Sequence, residues 1–371
     1  MKRVFAAILL LNFIVVTSCS DDETGGDTPG FDRKVMLEDL ADNIIIPAYD
    51  TLNKEVIALD DAINAFITTP DVATLTASRV AFNEAYHAWQ RSSFWEFGPA
   101  FDVLLMSSVN SFPADHISIE SNVTNGTYDF STLSGQDEKG LPAVGYLLHG
   151  IGDTDQAIID MYTTDGNATN RRDYLLAVAA DMRSRVSEVA AGWASAGEDY
   201  RSVFINSDGT DVGSSVGLMV NELNKFVERE ARDGKIGIPL GKRSQGIPIP
   251  GEVEAGYSGL SISLASENLE ALYNFYMGIG VTGDKVSFYD YLTSINAQYN
   301  GGLLSDAIKQ QFESAMKEVS EIPSPYQETV EVNPTPADEA YTELQKLVVL
   351  LKADMPSALG VLITYQDNDG D

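Results

Sequence analysis

The chain contains few of the residue types that build disulfides, zinc centres or imidazole clusters. Its 371 residues include one cysteine and three histidines. A single thiol excludes an intramolecular disulfide and a thiolate zinc site, and three imidazoles provide little for a histidine-rich metal centre. Hydrophobic residues make up 44% of the chain, which is enough at this length to bury a substantial core without crosslinks.

Basic residues are also scarce. There are 24 lysines and arginines against 55 aspartates and glutamates, which gives a formal net charge of −31. Binding to nucleic acid depends on clustered lysine and arginine that neutralise phosphates. The sequence therefore predicts that nucleic acid is not a partner.

The one cysteine follows an N-terminal segment with the features of an export signal. Lys2 and Arg3 form a basic start, and residues 4–16 are apolar apart from Asn12. This run is too short to span a bilayer comfortably, and small residues precede Cys19, as in a bacterial lipobox. We expect residues 1–18 to be a signal peptide and Cys19 to be the lipidated first residue, which anchors the protein to a membrane.

Residues 19–32 are rich in glycine and aspartate and predict a flexible tether. The acidic run Ser20–Glu23 resembles the surface-export signal of bacterial outer-membrane lipoproteins. A plain acidic linker has the same composition. The predicted location is therefore the outer membrane, on either the periplasmic side or the cell surface.

Most of the remaining chain has apolar residues three or four positions apart, which predicts an all-α fold of two helical-bundle domains. A turn-rich break at 163–167 divides it into an N-terminal domain at 33–166 and a C-terminal domain at 167–371. Residues 109–140 and 235–251 carry many turn-forming residues and predict irregular structure. The helical segments are 35–68, 73–97, 141–162, 172–196, 212–232, 258–278, 288–299, 303–319 and 337–351.

Motifs with a direct chemical meaning are few. Glu84 and His87 have the spacing used in di-iron bundles, but no second Glu-x-x-His pair occurs, which favours a structural histidine. His116 and Glu120 share a face only if their segment is helical. The chain contains no Gly-x-Ser-x-Gly, His-Glu-x-x-His or phosphate-binding glycine loop, so we assign no catalytic residues. An aromatic group at helical spacing is typical of core: Tyr86, Trp89, Phe94, Trp95 and Phe97.

Several segments, in a shared order over about 37–362, resemble the imelysin-like family. They are Leu40–Tyr49, Ala88–Gln90 with Phe97–Pro99, Asn110–Asp115, Gly140–Leu148, Lys235–Leu240, Val253–Glu254 with Tyr257–Ser258, and Asn268–Leu269 with Tyr276–Gly278. The resemblance implies a two-domain helical protein that bacteria export and that is associated with iron acquisition. The family was first classed with metallopeptidases.

The family hallmark, Gly-x-His-x-x-Glu, is degenerate in this chain. Gly140 occupies the glycine position, but Pro142 stands at the histidine position and Gly145 at the glutamate position. Proline and glycine offer no side-chain ligand, so this segment neither binds a metal nor activates water. The resemblance thus transfers the fold and the compartment but not the peptidase chemistry.

The cleft of the family is expected to persist around the hallmark. The motif positions expected to line it are Trp89, Arg91, Glu96, Pro113, Asp115, Gly140, Glu254 and Ser258. Each also has a structural alternative, such as a turn for Pro113 or an ion pair with a nearby acid for Arg91.

These observations together predict a non-catalytic cell-envelope lipoprotein that binds a ligand or partner in iron or haem uptake. Iron and haem follow from the resemblance alone, because no motif supports a cofactor. The uptake machinery for iron or haem is the expected partner, besides the membrane at Cys19. Two alternatives stay open: a metal-dependent peptidase, and a surface interaction scaffold without a small ligand.

Overall fold

A computed structural model describes residues 30–365 of the chain. The predicted signal peptide, Cys19 and residues 19–29 of the tether lie outside that range. The described part is built from helices, with two hairpins of two-residue strands: β1 Ile279–Gly280 with β2 Gly283–Asp284, and β3 Gln298–Tyr299 with β4 Gly302–Leu303. The predicted all-α class is confirmed.

The first half of the described chain contains nine α-helices. They are α1 Arg33–Leu40, α2 Ile46–Thr68, α3 Val72–Ser92, α4 Pro99–Asp102, α5 Leu105–Asn110, α6 His116–Asn125, α7 Gly140–Gly145, α8 Asp155–Thr163 and α9 Ala168–Trp193. The second half continues with α10 Tyr200–Ile205, α11 Ser215–Phe226, α12 Ser261–Met277, α13 Phe288–Ser294, α14 Leu304–Ser320, α15 Tyr326–Val332, α16 Thr335–Val349 and α17 Met355–Leu359.

Segments of π-helix continue four of these helices: Ala41–Ile45, Tyr146–Gly150, Val227–Gly237 and Leu350–Asp354. Two short 3₁₀ helices lie in loops, Gln136–Glu138 and Pro250–Glu252. The segment Val227–Gly237 extends α11, so the first three residues of the stretch predicted to be irregular at 235–251 are helical. This places Lys235 on a rigid element.

Two groups of long helices form the core. In one group α2 packs along α3 and α9, and in the other α14 packs between α12 and α16. Contacts between α12 and α3 join the groups into one continuous hydrophobic core. Helix α9 begins just after the predicted domain boundary at 166 yet packs on α2; the boundary itself stays a prediction.

Segment 109–140 is more ordered than the sequence predicted. Helix α6 begins at His116 because the carboxylate of Asp115 accepts hydrogen bonds from the backbone N–H groups of Ile117 and Ser118. His116 and Glu120 therefore lie one turn apart, but Glu120 accepts two hydrogen bonds from Arg171, at 2.6 and 2.8 Å. The Glu120 carboxylate is therefore held in an ion pair with Arg171.

Candidate functional site

A cavity of about 560 Å³, which we call the central cavity, opens between α3, the loop before α6 with the first residue of α6, helix α7, the loop at 250–258 and helix α15. Its walls are largely apolar and aromatic, with a few polar side chains. The lining residues include Tyr86, Phe112, Pro113, Asp115, His116, Leu141, Pro142, Gly145, Pro250, Gly251, Glu252, Val253, Tyr257, Ser258 and Gln327.

Helix α7 brings the degenerate hallmark to the wall of this cavity. It begins at Gly140, whose φ of +72° is readily available to glycine. A Cβ atom at Gly140 would lie 2.3 Å from the carbonyl oxygen of Val109, so only glycine allows α7 to approach α5 this closely. Both Pro142 and Gly145 line the cavity, at the positions where the family carries its histidine and glutamate.

A fully buried carboxylate lies beside the cavity, on Glu254, which is 0% exposed. One of its oxygens lies 2.5 Å from the Nζ of Lys235. The other accepts hydrogen bonds from the side-chain amides of Gln90, at 3.1 Å, and Asn110, at 2.8 Å. We call Glu254, Lys235, Gln90 and Asn110 the buried polar network.

Hydrogen bonds link Glu254, Lys235 and Gln90 in a closed ring, and a further bond connects the network to the cavity wall. Lys235 donates a second hydrogen bond to the side-chain oxygen Oε1 of Gln90, at 2.8 Å, and its Nζ lies 5.9 Å from the ring centre of Phe112. The Tyr86 hydroxyl donates to the Asn110 side-chain oxygen at 2.7 Å. Burial, with Glu254 nearby, raises the pKa of Tyr86, so this phenol stays protonated as a donor. Every charge in the network is thereby compensated.

The residues around the central cavity do not fit the metal that the family hallmark implies. Pro142 and Gly145 have no ligand atoms, and both carboxylate oxygens of Glu254 are held by the other network residues. Within residues 30–365, no three histidine, cysteine, aspartate or glutamate side chains are grouped so as to hold a metal ion. A catalytic zinc site requires three protein ligands and an open position. No reaction step through a metal is therefore assigned to this site.

A second cavity of about 430 Å³, the side cavity, lies next to the first and shares Phe112 and Glu252 with it. Glu96 and Glu230 line it. The Glu96 carboxylate accepts a hydrogen bond from the backbone N–H of Met106 at 3.1 Å. Burial outweighs this bond and raises the pKa of Glu96 to about 7. Burial also raises the pKa of Glu230.

Arg91 lies in a third place, a groove between α2 and α12. Its Nε is 2.5 Å from a carboxylate oxygen of Glu267, and the Nδ1 of His87 is 3.5 Å from the other oxygen. Hydrogen bonds from His87 and then Arg91 lower the pKa of Glu267 to about 2. His87 is thus paired with Glu267 on α12, whereas its neighbour Glu84 was the partner considered from the sequence.

The structure brings together half of the residues that the sequence proposed for a cleft. Pro113, Asp115 and Ser258 line the central cavity, and Glu254 lies directly beside it. The other four lie elsewhere: Trp89 is core, Gly140 is buried at the start of α7 against α5, Glu96 faces the side cavity and Arg91 faces the third groove. The predicted aromatic core group is buried throughout, although Tyr86 also reaches the cavity wall.

Sequence reasoning missed Gln90, Asn110, Lys235 and Tyr257 as site residues. All four lie inside the segments that carried the family resemblance. The available signal was a polar side chain within an otherwise apolar motif, as for Gln90 beside Trp89. Polar groups in such positions need a buried partner.

Comparison with known proteins places the chain in a family. The model of the imelysin family, which is classed as peptidase family M75, matches residues 45–354. This chain belongs to the imelysin family. The resemblance carried by the separate segments is thereby confirmed.

Individual relatives of this imelysin are distant. Iron-regulated protein A of Synechococcus elongatus is 21% identical over 306 residues, which cover 81% of this chain and 79% of that protein. A crystal structure of a protein named as an iron-regulated protein A precursor from Parabacteroides distasonis matches with a TM-score of 0.70 and 19% identity, over 88% of this chain and 95% of the other. An imelysin-like protein from Psychrobacter arcticum gives 0.66 and 18%, over 90% and 97%. These structures confirm the fold.

Proposed function

We propose that this imelysin is a cell-envelope lipoprotein that binds a ligand in its central cavity, and serves iron or haem uptake without catalysing a reaction. The observation that carries the proposal is the state of the hallmark segment. Pro142 and Gly145 shape the wall of an open cavity, while the nearby carboxylate of Glu254 is neutralised by Lys235. An open cavity whose hallmark positions carry no side chain that can bind a metal or activate water favours binding over catalysis.

The connection with iron comes from relatives. A relative that aligns over most of this chain is named an iron-regulated protein A, and so is one of the solved structures with the same fold. The ligand is expected to be supplied outside the cell, which agrees with the lipobox-like segment that ends at Cys19. Among residues 30–365, no helix combines the length and apolar character needed to cross a bilayer.

A binding screen tests this proposal. The purified protein is titrated by calorimetry with ferric citrate, haemin and iron chelates, and metal content is measured after gel filtration. We expect saturable binding of at least one iron compound. Uptake no greater than that of an unrelated acidic protein would contradict the proposal, since a charge of −31 alone attracts cations weakly and without selectivity.

A peptidase assay tests the non-catalytic part. A mixed peptide library is incubated with the protein, with and without a chelator. We expect no cleavage above background in either sample. Cleavage that the chelator abolishes would support the peptidase alternative instead.

The anchor is tested by Cys19→Ser. The unchanged protein is expected to incorporate labelled palmitate and to sediment with outer membranes, and the variant to lose both properties. Recovery of the variant in the same membrane fraction with the same label would contradict lipidation at Cys19. Protease treatment of intact cells then distinguishes the cell surface from the periplasmic side.

A further inference from the structure

We infer that the central cavity takes a ferric chelate whose iron is already fully coordinated by its organic chelator, and that this chelate is neutral or positively charged. The inference rests on the proposed function and narrows it to one class of ligand. Three properties of the cavity lead to it: the lack of metal ligands, the character of the walls, and the sign of the charges.

The first property is that the cavity offers no set of atoms that would complete an iron coordination sphere. Ferric iron prefers several oxygen or nitrogen ligands. Pro142 and Gly145 supply none, and the nearest buried carboxylate, Glu254, is bound by Lys235. Among the residues described, no cluster of acidic, histidine or cysteine side chains is arranged for a metal. A protein that binds iron in such a cavity must contact the organic chelator around the iron rather than the iron ion itself.

The second property is the fit of the walls to an organic surface. The volume of about 560 Å³ lies within the usual range of about 300–1,000 Å³ for cavities that bind small molecules. Tyr86, Phe112 and Tyr257 provide aromatic faces, and Tyr257 is 44% exposed at the mouth. Such faces make dispersion contacts with the carbon framework of a ligand and attract cationic groups.

The third property is charge. Asp115 and Glu252 line the cavity, and none of the residues described as lining it is a lysine or arginine. Hydrogen bonds from the Ser118 hydroxyl and backbone lower the pKa of Asp115, which keeps its carboxylate ionised. Within residues 30–365, the Glu252 carboxylate has neither a hydrogen bond nor an ion pair, so it is available to a ligand. The ammonium of Lys235 lies beyond Phe112 and is committed to Glu254.

The same charges disfavour anionic ligands. A tris-catecholate chelate is a multiple anion, and haem carries two carboxylates, whereas Asp115 and Glu252 make the cavity acidic. Like charges brought together with little water between them cost affinity. His116, at the cavity wall, carries an imidazole of the kind that binds haem iron, so haem is included among the probes.

The experiment compares four probes by calorimetry with the purified protein. The probes are ferrioxamine B, a cationic trihydroxamate chelate; ferrichrome, a neutral one; ferric enterobactin, an anionic catecholate; and haemin. We expect the cationic and neutral chelates to bind, and the anionic chelate to bind at least about tenfold more weakly. The iron-free chelators serve as controls for non-specific contact.

A matched pair of glycine variants locates the binding. A Cβ atom at Gly251, in the cavity wall, or at Gly166, in the loop before α9, would meet no atom within 4 Å, and neither glycine has a positive φ. Gly251→Phe is expected to lower the affinity at least about tenfold by filling the mouth. Gly166→Phe is expected to leave it unchanged. Equal affinities for the two variants would overturn the assignment to this cavity.

Charge variants test the selectivity without filling the cavity. Asp115→Asn keeps a residue that caps α6, and Glu252→Gln keeps the size of the side chain. Together they are expected to weaken ferrioxamine B about tenfold and ferrichrome by less than about twofold. An equal loss for both chelates would contradict recognition by charge.

The outcomes separate this inference from the function on which it rests. If no iron compound binds, both fail. If haemin binds with a sharp Soret band that His116→Ala removes and His87→Ala retains, the proposed function stands and the chelate inference is overturned. Tighter binding of ferric enterobactin than of ferrioxamine B has the same consequence.

Discussion

The central and side cavities share Phe112 and Glu252 in their linings, yet the buried carboxylate next to each has different hydrogen-bond partners. Glu254, beside the central cavity, receives an ammonium and two side-chain amides. Glu96, in the side cavity, receives one backbone N–H, and its pKa is raised to about 7. Burial with a single backbone donor raises the pKa of Glu96, whereas Glu254 is matched by an opposite charge and two amide donors.

This difference bears on function. The side cavity contains a carboxylate, Glu96, whose pKa is near neutrality. Such a carboxylate changes charge with small changes in its surroundings. The charge of the side cavity therefore depends on pH.

The largest effect is expected for Lys235→Met, which leaves the buried carboxylate of Glu254 without its ammonium partner. Removing one partner of a buried ion pair typically costs about 3–5 kcal/mol. We expect a loss of that size in the free energy of unfolding, measured by urea denaturation at neutral pH. Lys54→Met is the control, because Lys54 is 79% exposed and an ion pair as exposed as that with Glu55 contributes little to stability.

A loss below about 1 kcal/mol for Lys235→Met would show that Glu254 does not need its ammonium. The double variant Lys235→Met with Glu254→Gln tests the cause. It removes both charges, so it is expected to recover part of the lost stability.

Glu96→Gln tests the other side of the comparison, because it removes from the side cavity the carboxylate whose pKa is near neutrality. The folded pKa of about 7 exceeds the ordinary value of 4.5, so the folded chain binds this proton more tightly than the unfolded chain. The contribution of Glu96 to stability is therefore complete below the unfolded pKa and decreases as the pH rises to about 7. The variant should match the wild type near about pH 4 and exceed its free energy of unfolding by about 3 kcal/mol near about pH 8.

Urea denaturation at the two pH values measures this difference, and exposed Glu339→Gln is the control. Glu267 is expected to behave oppositely, since its pKa is lowered to about 2. Its contribution is present above the unfolded pKa and is lost as the pH falls towards 2. A Glu96→Gln variant with the same advantage at both pH values would exclude titration of Glu96 as the cause.

The smallest expected effect is that of Tyr86→Phe, which removes one hydrogen bond from the edge of the buried polar network. The Tyr86 hydroxyl donates to Asn110, and the lost bond is expected to cost about 1 kcal/mol of the free energy of unfolding. Asn110 keeps its bond to Glu254, so the network itself should remain. A loss as large as that of Lys235→Met would indicate that the network depends on the tyrosine.

The helices were predictable from the sequence because their apolar spacing is a local property. The long helices α2 and α12 fall within the predicted segments, and α3 and α9 begin one and four residues before theirs. Helix α6 was missed because its start depends on one side-chain cap, Asp115, within a turn-rich segment. The local composition indicated a loop, and the cap overrides it.

The site was less predictable because its members meet only through tertiary packing. Gln90 and Arg91 are neighbours in sequence, but adjacent helical residues point about 100° apart, so one reaches the buried polar network and the other reaches Glu267. Glu96 follows the end of α3, where the chain turns towards the side cavity. The partners of Glu254 lie up to 164 positions away, and no local pattern reports such a distance.

The buried polar network also defines a unit of motion. It ties α3, α5, the extension of α11 and the loop before α12 through one carboxylate. None of these segments can separate without leaving a charge or an amide unpaired in the interior. Native-state hydrogen exchange should therefore show the amides of all four segments opening together, at a free energy close to that of global unfolding, while the loop tips around the cavity mouth exchange freely.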